Sequence, residues 1–372
     1  MLFKPTMKVT VSIVLLFFFG LLSAQNSEDT NSFEVNFLAG NAMKHAPDMS
    51  HLITGHPDGI FATFSKKTYG KKPWHKLYNY PDYGLYFLYQ DFKNEFLGLN
   101  YAAGAHYNFY FLNRKLNFRF ASGIAMTTNP YDKITNSKNG AFGTRFMGNM
   151  NMFLNYRKEN IIDKLGFQVG IAFTHYSNGR IKSPNSGINT YGVNFGLNYN
   201  FAPKNIKITD TTSLSLQYKQ PVKYNFVLRS GVNESFIIGS GQYSFYHFSV
   251  YADKRLNRKS AVQFGTEIFI TNYFKEFIKY QSVAYPNLNL NLDPNTDYKR
   301  VGIFIGHELF INRVSLEGQI GYYVYQPYKF DIPFYDRIGM KYYFNDKVFT
   351  GISLKTHAFL AEAMELVIGI RL

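Results

Sequence analysis

From residue 31 onward, hydrophobic and polar positions alternate in segments of roughly ten residues, each followed by a turn. In 164–178, Phe167, Val169, Ile171 and Phe173 take the odd positions, while Gly166, Gln168, Gly170, Ala172 and Thr174 take the even ones. In 189–201, Tyr191, Val193, Phe195, Leu197, Tyr199 and Phe201 alternate with Gly192, Asn194, Gly196, Asn198 and Asn200. Side chains of a strand point to opposite faces in turn, so each segment has one greasy face and one small or polar face. The pattern predicts about sixteen strands, within a range of about 12–16. The segments within 31–82 and the stretch 202–223 are the least regular.

The connections sort by length. Leu112-Asn113-Arg114-Lys115, Leu256-Asn257-Arg258-Lys259, Asn312-Arg313 and Asn345-Asp346 read as tight hairpins, and 130–140, 179–188 and 271–297 as long polar loops. If strands run up and down from a periplasmic start, the tight turns share one end and the long loops the other, as in outer-membrane barrels. The last segment, Met364 to Leu372, is expected to pair with the first strand and remove the sheet edge.

A soluble sandwich would turn its greasy faces inward, whereas a membrane barrel turns them to lipid. Composition favours the barrel. The chain has 37 Phe and 30 Tyr, 46% hydrophobic residues and only 17% charged, yet beyond residue 25 nothing approaches the roughly 20 apolar residues of a spanning helix. Lys4 and Lys8, the apolar run Val9 to Leu22, and Leu22-Ser23-Ala24 ahead of polar Gln25 predict a signal peptide over 1–24, cut after Ala24. The expectation is an all-β protein: one closed antiparallel transmembrane β-barrel of about 14–16 strands filling 25–372 as a single outer-membrane domain. Zero cysteines exclude disulfides and thiolate metal sites. A net charge of +15 suits an anionic partner; for an exported chain that is anionic lipid rather than nucleic acid. The basic run Lys66, Lys67, Lys71, Lys72 and Lys76 around Trp74 and His75 reads as a solvated connection.

One segment carries candidate chemistry. His175 and Ser177, two apart, share the odd, lipid-side face with Phe173 and stand at the outer end of their strand. An imidazole and a hydroxyl on a greasy face carry a desolvation cost unless they have a task. The task suggested is ester hydrolysis, His175 acting as general base and Ser177 as nucleophile. Asn189, in odd register on the returning strand, is placed to orient the imidazole. His247-Phe248-Ser249 repeats the spacing, but Tyr246, Phe248 and Val250 set the lipid face there, so this pair should point inward. His357 and Glu365 share an interior parity and are expected to meet as a structural pair.

The string His175-Tyr176-Ser177-Asn178-Gly179, followed by Pro184-Asn185-Ser186-Gly187-Ile188, resembles the lipid A 3-O-deacylases of the PagL type and the acyloxyacyl hydrolases. These are outer-membrane barrels that hydrolyse an acyl ester of lipid A in the outer leaflet. The resemblance implies that His175 is the base and Ser177 the nucleophile. It also implies that Asn178 and the backbone N–H groups near Gly179 form the oxyanion hole, with Asn185 in the substrate-binding loop. The sequence departs from the family at Asn189, which stands where the family has an acidic residue; its carbonyl oxygen can accept the imidazole N–H but brings no charge. The close match spans about residues 164–201, and the family's barrels are short and eight-stranded. Arg180 and Lys182, in the loop above the pair, suit lipid A phosphates. The expected function is therefore a lipid A or lipopolysaccharide deacylase of the outer membrane, without metal or cofactor. The alternative is a non-catalytic barrel, serving as a channel or in structure or secretion, that retains a relic site; Asn189 favours it, and an open lumen would support it.

Overall fold

A computed structural model describes residues 30–44, 47–201, 218–284, 292–358 and 360–372. The signal peptide expected over 1–24 lies outside the described residues, as does most of the irregular stretch 202–223. No helix among the described residues is long and apolar enough to cross a membrane.

Among the described residues the alternating segments form sixteen antiparallel strands, and these close into two barrels of eight. The first contains β1 (Asn31–Ala42), β2 (Asp58–Lys66), β3 (Asp82–Asp91), β4 (Leu99–Phe111), β5 (Leu116–Thr127), β6 (Phe146–Ile162), β7 (Leu165–Ser177) and β8 (Ile188–Asn200). The second contains β9 (Lys223–Glu234), β10 (Gln242–Arg255), β11 (Ser260–Thr271), β12 (Arg300–Ile311), β13 (Val314–Tyr325), β14 (Phe334–Tyr343), β15 (Val348–His357) and β16 (Leu360–Arg371).

Closure corrects the expectation of a single sheet. β8 returns to β1, from Ser32 opposite Asn200 to Ala42 opposite Thr190. The last strand closes on β9, with Leu366 opposite Ser230 and Arg371 opposite Asn225, and not on the first strand of the chain. The strand count holds, and so does the sorting of the connections named from the sequence: those four tight hairpins lie at one end, and 128–145, 178–187 and 272–299 at the other, the last carrying α2 (Tyr273–Ala284). The rule has exceptions in the long β2–β3 connection, at the tight-turn end, and the short β15–β16 turn, at the other.

Barrels of eight strands have interiors narrow enough for side chains to fill, and here polar networks share the fill with buried rings and aliphatic groups such as Phe61, Leu88 and Phe153 in the first barrel and Phe269, Phe304 and Phe349 in the second. In the first, Glu34 of β1 binds both Arg119 of β5 and Arg157 of β6, all three side chains buried. Tyr176 of β7 donates to Gln90 of β3 across the lumen at 2.8 Å, and Gln90 donates to Thr190 of β8 at 3.1 Å. In the second, Arg337 of β14 joins Glu267 of β11 at 2.7 Å and Glu365 of β16 at 2.8 Å, and Arg229 of β9 reaches Glu317 of β13 at 3.2 Å. The apolar side chains of the outer face are exposed, Ile171 by 60% and Leu366 by 66%.

The basic run is only partly a solvated connection. It forms α1 (Pro73–Leu77) in the β2–β3 loop, and although Lys71, Lys72 and Lys76 are exposed, Lys67 is buried against Glu159 at 2.5 Å. The loop also touches the second barrel, where the Tyr78 hydroxyl donates to the Phe310 carbonyl.

Glu34→Ala would leave two buried guanidinium groups without their shared carboxylate. The expected cost is about 3–5 kcal/mol, read as a lower urea midpoint for loss of the compact, heat-modifiable band in gel electrophoresis.

Candidate functional site

β7 and β8 form a hairpin whose outward positions are in register, so His175 stands opposite Asn189. Thr174 and Tyr176 point into the lumen and are buried; His175, Ser177 and Asn189 lie on the outer wall and are half-buried. The His175 Nδ1 lies 2.6 Å from Asn189 Oδ1. A carbonyl oxygen carries no proton, so the imidazole donates from Nδ1, and the tautomer this selects leaves a lone pair on Nε2, the form a general base requires.

The 178–187 loop folds back over the serine. Ser177 Oγ accepts the Gly179 N–H at 3.0 Å and lies 3.0 Å from Asn185 Nδ2. Asn185 Oδ1 accepts the Asn178 N–H at 2.8 Å and is 3.2 Å from Ser177 Oγ, tying both ends of the loop to the hydroxyl. Gly179 and Gly187 have φ of +62° and +68°, a region in which glycine is at ease and other residues are strained. Gly187 also marks how close the groups stand. A Cβ there would lie 3.4 Å from Ser177 Cβ, 3.5 Å from His175 Cε1 and only 2.7 Å from the Tyr176 carbonyl oxygen. The serine and the imidazole therefore flank one glycine. From the other side, Ser186 and Gly187 donate backbone N–H groups to Gly140 and Ala141 of the β5–β6 loop at 3.1 and 3.2 Å.

The remaining expected residues separate. The Asn178 side chain is buried and turned into the loop, its Nδ2 donating to the Lys182 carbonyl at 2.8 Å. The side-chain amide beside the hydroxyl is that of Asn185 instead. Lys182 is exposed. Arg180 is buried, its guanidinium 3.3 Å above the Phe236 ring of the second barrel. Its charge reaches that barrel's mouth: in the 326–333 loop, burial and the Glu362 carboxylate push the Asp331 carboxyl up from its ordinary range, against the pull of Arg300, Lys355 and Arg180.

His247 and Ser249 point into the second lumen and are buried, as their parity requires, with His247 Nδ1 2.7 Å from Glu365 Oε1. The expected pairing of His357 with Glu365 is corrected. His357 stands opposite Leu360 and Glu365 opposite Ser353, four residues apart along β15, roughly 13 Å. His357 instead meets Tyr323 at 2.9 Å and Glu362 at 3.3 Å. Two groups that sequence spacing does not reveal are gathered here by the fold, His247 with Glu267 and Glu365, and Asp331 with His357 and Glu362. Their carboxylates are already held by cations: Arg337 binds Glu267 and Glu365, and Arg300 and Lys355 both bind Glu362. Both groups read as neutralised lumen networks rather than metal sites.

A family model described as "Lipid A 3-O-deacylase (PagL)" matches residues 58–198, and one described as "Acyloxyacyl hydrolase, C-terminal domain" matches residues 222–372. The boundary between them falls where the two barrels part. No match was found among curated proteins. Similar solved structures include a mutant of Rh. blastica porin (8% identity, 92% of this chain and 99% of that one, TM-score 0.18). The Acinetobacter baumannii outer membrane protein Omp33 is also similar (8% identity, 92% and 97%, TM-score 0.17), as is a mutant of the TodX monoaromatic hydrocarbon channel (7% identity, 92% and 88%, TM-score 0.17). At such TM-scores the superposition is poor, and the fold stands on the strand pairings themselves.

Gly187→Ala should strain the loop and push the serine and imidazole apart. Labelling of Ser177 by a fluorophosphonate, followed by mass spectrometry, is expected to slow by about tenfold or more, with the folded band on gels unchanged.

Proposed function

Because the chain belongs to the lipid A 3-O-deacylase (PagL) family, with the acyloxyacyl hydrolase C-terminal domain over its second half, we propose that it is an outer-membrane carboxylic ester hydrolase that removes an acyl chain from lipid A at the outer wall of its first barrel. The observation that carries this reading is the orientation of the pair. His175 and Ser177 face the same side as the lipid-facing apolar residues, with Nδ1 of His175 held by Asn189 at 2.6 Å and Oγ of Ser177 met by the Gly179 N–H at 3.0 Å. A membrane lipid reaches that wall directly.

In the proposed reaction His175 Nε2 takes the Ser177 proton as Oγ attacks the ester carbonyl carbon. The carbonyl electron pair moves to oxygen, stabilised by donors already beside Oγ, the Gly179 N–H and Asn185 Nδ2. The tetrahedral intermediate expels the sugar alkoxide, which receives the proton from the imidazolium and leaves as the hydroxyl. Water, deprotonated by His175, then attacks the acyl-serine; collapse releases the fatty acid and returns the proton to Ser177. Asn185 thus takes the part first expected of the Asn178 side chain. Of the two loop cations, exposed Lys182 is the one available to a lipid A phosphate, and the signal peptide and outer-membrane location are part of the same proposal.

The filled lumens weigh against a channel. Hydrogen bonds and ion pairs cross both barrels from wall to wall, leaving the outer surface as the place for chemistry.

Two experiments test the proposal. In cells lacking other deacylases, lipid A should lose one acyl mass when the wild-type protein is produced but not Ser177→Ala at equal outer-membrane level; wild-type lipid A identical to the vector control would sink it. Asn189→Asp should raise kcat by about tenfold or more, because a carboxylate stabilises the imidazolium that an amide only orients. The same change should leave KM near its original value, as expected for an interaction that strengthens in the transition state.

A further inference from the structure

The second barrel reaches the site. Its β9–β10 connection runs along the 178–183 segment and is bonded to it repeatedly. Glu234 donates its backbone N–H to the Arg180 carbonyl at 3.2 Å and accepts the Ser183 N–H on its side-chain Oε2 at 2.8 Å. Ser183 Oγ donates to the Ser235 carbonyl at 2.6 Å, and Gln242 Nε2 donates to the Ile181 carbonyl at 2.8 Å. The Phe236 ring lies 3.3 Å from the Arg180 guanidinium carbon. Glu234 is 2% exposed, and its second oxygen accepts the Gly241 N–H at 3.2 Å. Lower on the wall, Met364 of β16 crowds the oxyanion turn: a Cβ on Gly179 would meet Met364 Cβ at 2.9 Å.

None of these residues touches Ser177 in the contacts described, yet together they surround the segment that presents Gly179 and Asn185 to it. The β5–β6 loop holds Ser186 and Gly187 and packs Gly143 against Lys182 and Pro184, while the second barrel supplies the hydrogen bonds to Arg180, Ile181 and Ser183 from the other side. A loop pinned at one end only would sample conformations in which the two donors leave Oγ, and donors misplaced by 1 Å lose much of their effect. The geometry points to the second barrel as the positioning device of the site, with Glu234 its central residue, binding the oxyanion loop across the barrel junction. This rests on the deacylase reading for its consequence in catalysis, but the clamp itself is a structural claim that stands or falls separately.

Full-length protein in detergent, assayed on lipid A micelles and by limited trypsin digestion, separates the two. Glu234→Ala is expected to lower kcat roughly tenfold to hundredfold with KM changed by less than about threefold. Cleavage after Arg180 and Lys182 should quicken by about tenfold as the loop opens locally. Glu234→Gln keeps one acceptor oxygen and should recover most of both. Phe236→Ala, which removes the ring over Arg180, should raise cleavage after Arg180 in the same direction. An active wild type whose kcat and trypsin pattern are unmoved by Glu234→Ala overturns the clamp. A wild type without activity overturns the deacylase reading; trypsin then decides the clamp alone, faster cleavage upholding it and an unchanged rate ending it.

Discussion

The constraint on which the rest depends is that a sheet surrounded by hydrocarbon has no water to satisfy its edges. Every backbone N–H and C=O on the first and last strand must find a partner in the same sheet. Here that demand is met twice, by β8 on β1 and by β16 on β9. Two rings of eight strands have narrow interiors, and narrow interiors must be filled by side chains. The fill combines buried rings with charged groups, and each charge has to be matched: Glu34 by Arg119 and Arg157, Arg337 by Glu267 and Glu365. With the lumens committed to holding the barrels together, the outer wall is where His175, Ser177 and Asn189 stand half-buried.

Much of this was legible in the sequence because strands and hairpins are local. The parity of Phe167, Val169 and Ile171 marks the outer face, and His175, Ser177 and Asn189 follow from that parity and one hairpin register. The inward turn of His247 follows from the same rule. Closure is not local. An alternating pattern says that a strand has two neighbours, not which distant strand supplies the second, so sixteen strands in one ring and eight in each of two read alike. The signal that was present is the irregular stretch 202–223, which divides the regular segments into equal halves.

The loop residues were less legible for a similar reason. The resemblance implies an oxyanion role for Asn178, and its loop position suggests a phosphate contact for Arg180, but the way the loop folds and docks decides where both side chains go. Asn178 turns to the Lys182 carbonyl, and Arg180 is drawn to Phe236, a partner in the other barrel. Asn185 gains its place beside the hydroxyl only because the loop doubles back. His357 shows the limit of parity in the second barrel: its inward face follows the rule, but the register shift between Lys355 opposite Ala363 and Thr356 opposite Ala361 turns Glu362 inward against its parity, and height along the strand sets it, rather than Glu365, beside His357.

The covalent link between the barrels has one more effect. β8 ends and β9 begins at the same end of the molecule, that of the tight hairpins. Two separate proteins diffusing in a membrane would meet through the same few polar contacts only in proportion to their surface density. Joined in one chain, the second ring is always within reach of the first, and its binding becomes an intramolecular event. A junction too weak to hold a dimer can therefore remain assembled at any level of expression.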